Sequence, residues 1–534
     1  MKPVFFSLFF LACFVTTAFS QPKNEAVSNG AFFDGEPYLA VNPTNTNNMI
    51  IAWMSYVPNP GRPLLEQLGI RVRSSFDGGQ TWGHELTMPH FSPTFHSADV
   101  SMAFHGSALF MSYVDYRQNP DSGAILVARS DDGGMTWHQP VKAFDGYDNN
   151  DKPIDRPWIA VDNSGTATDG TIYITTKPAP WDPMPNRPYM KYSTDNGLTW
   201  SKIDTVDGGD YLTTLISAPM VSPAVTSDGI FRAAYLSWNL QKALYPRFTL
   251  ASSTDFGKTY NRTTIVGLHG KTTADTLSKL GQHLAVDPKN PQNLLLTWID
   301  ARDGDPDVYA TVSHDGGVTW STEIRINDDP KNNGVWQDLV WANYSENGKC
   351  VISWRDRRKG DSTEYAKGSD IYFAVSTDGG TTFGKNIRLS DQTAPFNIVL
   401  NGAGNDFQST AIVHDSLCIS WGDVRTGKLA IYFVKASLSD GIATVIPVSE
   451  EDSRISIFPN PASHSLSLRL KLDEPDRTDL FIYDGTGEEI WHDMTSGTNM
   501  VFQVVDVSKF STGIYTVVAK TSRETFSQKL TVVR

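Results

Sequence analysis

One eight-residue turn, repeated six times, constrains this chain more than any other feature. It reads Ser75-Phe76-Asp77-Gly78-Gly79-Gln80-Thr81-Trp82 and returns at Ser130–Trp137, Ser193–Trp200, Ser253–Tyr260, Ser313–Trp320 and Ser376–Phe383. The shared pattern is S-x-D-x-G-x-T-[WYF], and its acids Asp77, Asp132, Asp195, Asp255, Asp315 and Asp378 step by 55, 63, 60, 60 and 63 residues. An Asp side chain can bond backbone N–H groups further along its own turn, Gly takes a positive φ, and Thr and the aromatic ring can pack beneath. Each copy is therefore expected to close a hairpin and hold the fold. Six copies of a catalytic acid would be redundant in one enzyme. One further step falls on the degenerate Ser439-Asp440-Gly441.

Short β-branched and aromatic runs surround each turn, as strands require. Units open on segments such as Tyr38–Val41, Val100–Ala103, Trp158–Val161 and His283–Val286, and continue through Met49–Trp53, Leu109–Tyr113, Leu294–Trp298, Cys350–Trp354 and Cys418–Trp421. Seven units start near 36, 98, 156, 219, 282, 337 and 406, and Ala443–Val448 is a candidate outer strand for the last. Cys350 and Cys418 hold equivalent positions in neighbouring units, too far apart for a disulfide, so two buried thiols are expected.

The repeated turn resembles the Asp-box, or BNR repeat, of the sialidase-like superfamily. The resemblance covers residues 36 to about 450 and implies an all-β fold: a β-propeller of four-stranded blades, with each box between the third and fourth strands. Counting units predicts seven blades. The sialidase catalytic domain has six, which stands as the alternative. The resemblance also implies that the active site lies on the face opposite the boxes, where first strands begin and second strands end.

That face is polar in sequence. First strands open with Glu36, Asp99, Asp155-Arg156, Gln282-His283, Gln337-Asp338, Asp406 and Gln408. Second strands end in a further repeat, [WY]-x-D-x-R, at Tyr113–Arg117, Trp298–Arg302, Trp354–Arg358 and Trp421–Arg425. An arginine fork can grip a carboxylate with two bonds. Arg302, Arg358 and Arg425 therefore have two readings: a triad for an acidic sugar, as the family uses, or Asp–Arg braces within blades. Residues that break the repeat are the better functional candidates, namely Arg156, His283, Arg357 and the Glu364-Tyr365 pair. The resemblance implies a Tyr nucleophile with a Glu partner and an Asp acid, roles that Tyr365, Glu364 and Asp99 would fill. Glu36, Arg156, His283, Arg302, Asp338, Arg357, Arg358 and Arg425 would contact substrate. The family's early Arg is missing, because the matching segment here is Gly35-Glu36-Pro37-Tyr38, and the nearest substitute is Asp155-Arg156-Pro157-Trp158 in the third unit.

No cofactor is expected. Two acidic loops, Asp145/Asp148/Asp151/Asp155 and Asp300/Asp303/Asp305/Asp307, offer oxygen ligands for calcium without EF-hand spacing. A net charge of -14 argues against nucleic acid, which needs a basic face. Residues 1–20 read as a signal peptide, with Lys2, an apolar Val4–Val15 and Ala18-Phe19-Ser20 before the cleavage point. The mature chain, expected to be monomeric, has no run long enough to span a bilayer.

Residues 21–449 would form the propeller. Residues 450–534 change character, to short alternating strands that suggest a small Ig-like β-sandwich. Phe458-Pro459-Asn460-Pro461, Asp484-Gly485-Thr486-Gly487, Phe510–Tyr515 and Lys529–Val533 resemble the type A sorting domain of the type IX secretion system of Bacteroidota. This implies passage through the outer membrane to the cell surface or medium. The functions weighed are an exo-acting, sialidase-like glycoside hydrolase, a non-catalytic propeller binding glycan or protein, and a polysaccharide lyase using His283 or Tyr365 as base.

Overall fold

Runs of alternating or wholly apolar β-formers, many of them ended by a glycine turn, make strands the only long elements among the described residues. The computed structural model describes residues 24–533 except 29–32, 60–61, 118–121, 148–153, 180–181, 217–218, 269–280, 359–367, 396–404, 439–453 and 485–487. Seven four-stranded antiparallel sheets follow one another. Their innermost strands are Asp34–Val41, Phe95–His105, Ile154–Val161, Val221–Val225, Gln282–Val286, Gln337–Tyr344 and Ser409–Val413. Each innermost strand packs on the next, and the seventh packs on the first, so the ring closes with seven blades. Hydroxyls stitch the inner strands together. Ile159 N donates to Ser101 Oγ at 3.0 Å, Leu284 N to Ser222 Oγ at 2.8 Å, and Leu39 N to Ser409 Oγ at 3.0 Å.

The seventh blade takes its outer strand from the other end of the chain. Glu25 and Ala26 pair with Phe433 and Tyr432, and the fully buried Val27 donates its N–H to Ile431 O at 2.7 Å. Two residues are too few to show a strand period in sequence. The segment 443–448, expected to supply this edge, lies outside the described residues, as does the degenerate box at 439–441.

The six boxes sit where the third strand ends. In the first, Ser75 Oγ donates to Asp77 Oδ1 at 2.7 Å and accepts from Gly79 N at 2.9 Å. Asp77 in turn accepts from Thr81 N at 2.9 Å and from Thr81 Oγ1 at 2.5 Å. The Ser-to-Asp, Gly-to-Ser and Thr-to-Asp bonds recur around Asp132, Asp195, Asp255, Asp315 and Asp378. The turn also keys one blade to the previous one. Gly79 and Gly317 have φ of 89° and 87°. A Cβ on Gly79 would strike Phe433 of the seventh blade, and one on Gly317 would strike Leu250 of the fourth.

Beyond the propeller, Ile455–Phe458, Ser465–Tyr483, Glu489–Asp506, Gly513–Lys520 and Thr525–Val532 form a five-stranded sheet around a separate core that includes Leu468, Ile482, Val505, Val517 and Leu530. The long Ser465–Tyr483 strand pairs with Ile455–Phe458 through its first half and with Gly513–Lys520 through its second. A small all-β second module was expected from sequence, and its strands join in this one Ig-like sheet. Cys350 and Cys418 are free and buried, and burial pushes both thiols up to about 12.

The keying role of the box glycine has a measurable consequence. Gly317→Ala combines left-handed strain of ~1–2 kcal/mol with overpacking of ~1–3 kcal/mol against Leu250. Gly427→Ala meets the same positive φ, 84°, with nothing within 4 Å of the new Cβ, and should show the strain alone. Urea unfolding of the two variants should separate them, and equal losses would remove the keying contact from the account.

Candidate active site at the mouth of the central channel

Because first and third strands run the same way, the first strands begin on the face opposite the boxes. Four of them are bulged near that end, between Gly35 and Tyr38, Ala98 and Ser101, Asp155 and Trp158, and Asp338 and Trp341. The bulges put Glu36, Asp99, Arg156 and Leu339 at φ of 55°, 53°, 51° and 54°. Non-glycine residues in this region are uncommon and gather at functional sites, and bulges re-aim side chains beside active sites.

Two of these bulged residues, Asp99 and Arg156, meet, and Glu36 acts on both through its charge. Arg156 Nη2 donates to Asp406 Oδ2 at 2.5 Å, and its Nε lies 3.9 Å from Asp99 Oδ1. Asp406 precedes the innermost strand of blade seven, so this guanidinium reaches across the channel mouth from blade three. Asp155 is held from its own blade by Lys177 Nζ at 2.8 Å. The Asp99 and Asp155 carboxyls lie near enough for each to act on the proton affinity of the other.

Two neighbouring carboxyls in a half-buried place resist ionising together. Burial, with the charges of Asp155 and Glu36, pushes Asp99 well above the usual carboxylate range against the pull of Arg156. Burial works against the charge of Asp155 too, but Lys177, Asp99 and Arg156 hold it below that range. The surroundings of the pair therefore favour a proton on Asp99 over one on Asp155. Burial and the same carboxylates push the Tyr116 hydroxyl to about 12. Its ring stacks on His96 with centroids 6.0 Å apart, and His96 Nδ1 accepts from Leu68 N at 3.2 Å.

Beneath this polar layer the channel is filled with rings. Trp158 packs on Tyr38, Trp341 and Phe407 with centroids 5.8, 6.0 and 5.1 Å away. His283 joins them, stacked on Trp341 at 4.1 Å. Burial takes its imidazole down to about 3, so it is neutral and a poor base.

The remaining candidates occupy other places. Arg302, Arg358 and Arg425 are each bonded to the Asp of their own repeat. Their Nη2 atoms lie 2.7, 2.9 and 2.7 Å from Asp300, Asp356 and Asp423. Each guanidinium also lies over a Tyr of its own third strand, at 4.6, 4.5 and 4.4 Å from Tyr309, Tyr372 and Tyr432. The Trp of each motif donates to the same Asp. This Trp–Asp–Arg–Tyr unit recurs whole in three blades and is the geometry of a brace. Blade two departs from it: Asp115 accepts instead from Ser97 Oγ at 2.7 Å and contacts His90 Nδ1 at 2.8 Å. Asp338 takes two bonds from Arg355, at 2.7 and 2.6 Å, and one from Arg357 at 3.0 Å, all three residues being 2% exposed or less. Those arginines hold Asp338 below the usual range despite its burial.

Glu364 and Tyr365 lie outside the described residues, as do Asp148 and Asp151. The loop that carries Glu364 and Tyr365 joins second and third strands, which places its two ends, Asp356 and Asp370, on the Asp99 face. In the second acidic loop, Asp300 faces Arg302, Asp303 faces Lys331, and Asp307 faces Arg325. Among the described residues, no group of three or more His, Cys, Asp or Glu is arranged to hold a metal ion.

Sequence reading underweighted Asp155 and Asp406 and missed Lys177, Tyr116 and Arg355. One signal was available: Lys177 ends the second strand of unit three, where four other units carry [WY]-x-D-x-R. Lys177 pairs across strands with Asp155 as Arg355 does with Asp338.

Residues 108–344 match the family described as the BNR repeat-like domain, and residues 456–533 match the secretion system C-terminal sorting domain. The chain thus carries both modules. No curated protein matches it in sequence. Similar solved structures include a GH93 α-L-arabinofuranosidase of Fusarium graminearum in complex with arabinobiose, at 13% identity and a TM-score of 0.43, covering 79% of this chain and 99% of that one. A Trypanosoma rangeli sialidase in complex with sialic acid aligns at 11% identity and a TM-score of 0.38, covering 97% and 89%. A PL25 ulvan lyase aligns at 10% identity and a TM-score of 0.38, covering 60% and 76%.

The placement of the proton gives a stability signature. The folded chain binds the Asp99 proton more tightly than the unfolded chain, so stability falls as pH rises from about 4, the unperturbed carboxylate value, through the raised folded value. Asp99→Asn has no proton to lose. Its melting temperature should therefore gain on wild type across that window, and parallel melting curves would place the proton elsewhere.

Proposed function

We propose that this chain is a secreted or surface-held protein that acts on glycans as an exo-acting glycoside hydrolase, with Asp99 as its general acid. The single observation that carries this is the Asp99–Asp155 pair at the channel mouth. Two carboxyls whose surroundings drive their proton affinities apart are the usual means by which one site supplies an acid and an anion at neutral pH. In the reaction, the Asp99 proton passes to the glycosidic oxygen as the bond from that oxygen to the anomeric carbon breaks. The Asp155 anion keeps the proton on Asp99 until then, and Lys177 keeps Asp155 ionised. Tyr365, with Glu364 beside it in sequence, is the proposed partner for attack at the anomeric carbon. The exo-α-sialidase form of this reading would draw on Arg156 and Arg357 for the sugar carboxylate.

Export follows from the C-terminal module. We assign residues 1–20 as the signal for the inner membrane and residues 450–534 as the type IX sorting domain, leaving the propeller at the surface or free in the medium. A non-catalytic binding propeller is the second reading, and one observation favours it: the Arg156–Asp406 ion pair bridges the mouth where a substrate would enter. The lyase form has less support, since burial lowers the proton affinity of the half-buried His283, which is stacked on Trp341.

The test is incubation of the purified chain with a panel of neutral and acidic glycans, with products read by mass spectrometry. Release of a terminal sugar, reduced at least 100-fold in Asp99→Asn and lost in Tyr365→Phe, is the expected result. No product from a folded chain would favour the binding propeller.

A further inference from the structure

The six boxes differ at one position in a way that closing the turn does not require. The residue between the Ser and the Asp is Asp131, Thr194, Thr254, His314 or Thr377 in five of them, polar and exposed. In the first box it is Phe76, and its ring is half-buried. The other five turns close without an aromatic ring at this place. What covers Phe76 comes from the second module. The ring of Phe458, at the end of strand Ile455–Phe458, lies against it with centroids 5.3 Å apart and planes at 46°.

A second contact meets the same ring. A Cβ on Gly83, the residue after the box, would come within 3.0 Å of Phe458. Gly83 is not left-handed, and four of the other boxes carry a side chain at this place, namely His138, Ser201, Asn261 and Ser321. The backbone therefore tolerates a side chain, and its absence leaves a seat for the ring. Arg469, on the neighbouring strand of the module, is close enough to Arg73 for its charge to add to the effect of burial on that guanidinium, which Asp34 opposes. The approach thus involves two strands of the module, and the third strand and box of blade one. Aromatic pairs gain from tilted and edge contacts beyond the area they bury. A contact this small would not hold two separate molecules together. The modules share one chain, however, and a tether raises effective concentration to the order of millimolar.

We propose that the first box is a docking surface for the chain's own C-terminal module, with Phe458 as the anchor and Phe76 and Gly83 as its seat. The docking is independent of the glycan-acting reading and holds for a catalytic or a binding propeller alike. It places the module on the box face rather than at the channel mouth. Removal of the module uncovers Phe76, an apolar ring in a row of box positions that are otherwise polar.

The experiment uses the full chain. Benzoylphenylalanine in place of Phe76 keeps an aromatic ring at the site and links under ultraviolet light to whatever touches it. The same residue in place of Thr254, at the same position of the fourth box, is the control. Linked peptides are read by mass spectrometry. The expected result is a link within one chain to the peptide that contains Phe458, at least ~10-fold more abundant than from position 254. Equal yield from the two positions, or links only between separate chains, would overturn the proposal. Small-angle X-ray scattering gives a second reading without a bulky label. Phe76→Thr and Gly83→Asn introduce residues that other boxes carry at these places, so the turn keeps its closure. Each should raise the radius of gyration as the module leaves its seat. Scattering identical to wild type from both variants would overturn the proposal as well.

Discussion

A carboxylate that bonds back to its own turn sets the shape of this molecule. In each box the Asp takes the hydroxyl of the Ser before it and the N–H and hydroxyl of the Thr after it, fixing where the third strand stops. The glycine common to all six boxes, bare of a side chain, then lets the side chains of the preceding blade pack on it. Local closure and neighbour contact come from one turn, and six such turns with the N-terminal strand Glu25–Ala26 carry the ring around to its start. The innermost strands converge only because the ring closes, and the functional face exists only because they converge.

Convergence gathers charge where burial makes charge expensive. Removing ionised groups from water is costly unless each is paired, and the channel mouth shows how a propeller meets that constraint. Asp155 faces Lys177 within one blade, Asp338 faces Arg355 and Arg357 within another, and Arg156 joins blade three to Asp406 of blade seven. Burial and the charges of Asp155 and Glu36 raise the proton affinity of one carboxyl, Asp99. The backbone bulges under Glu36, Asp99 and Arg156 aim these groups at one point, in a conformation that the surrounding strands must enforce. Beneath them, Tyr38, Trp158, Trp341, Phe407 and His283 fill the channel, so the polar layer rests on an aromatic floor.

The fold was legible in sequence because its signals are repeated. Six boxes announced the blades, seven first strands gave their number, and the Phe-Pro-Asn-Pro and Phe-Ser-Thr-Gly-Ile-Tyr segments announced the second module. The site was legible only in part, and for a physical reason. Asp99, Arg156 and Asp338 stand out as polar residues opening a buried strand, but the bulges that turn them inward leave no periodic trace. The pairing of Arg156 with Asp406 spans 250 residues and depends on ring closure, which no local pattern encodes. The repeat that looked most like a substrate-binding triad proved to be three copies of one Trp–Asp–Arg–Tyr unit. Sequence had offered that alternative and could not choose, because a gripping arginine and a bracing arginine look alike until their partners are known.

The proposed chemistry needs one proton most, held by Asp99 at neutral pH beside Asp155. Isotope-edited infrared spectroscopy of wild type minus Asp99→Asn reads it directly. The expected difference spectrum contains the carbonyl stretch of a protonated carboxyl at neutral pH, which fades as pH is raised and leaves an ionised carboxylate in its place. A difference spectrum with only carboxylate bands at neutral pH would mean that Asp99 is ionised like any surface acid, and the channel mouth would then have no general acid to offer.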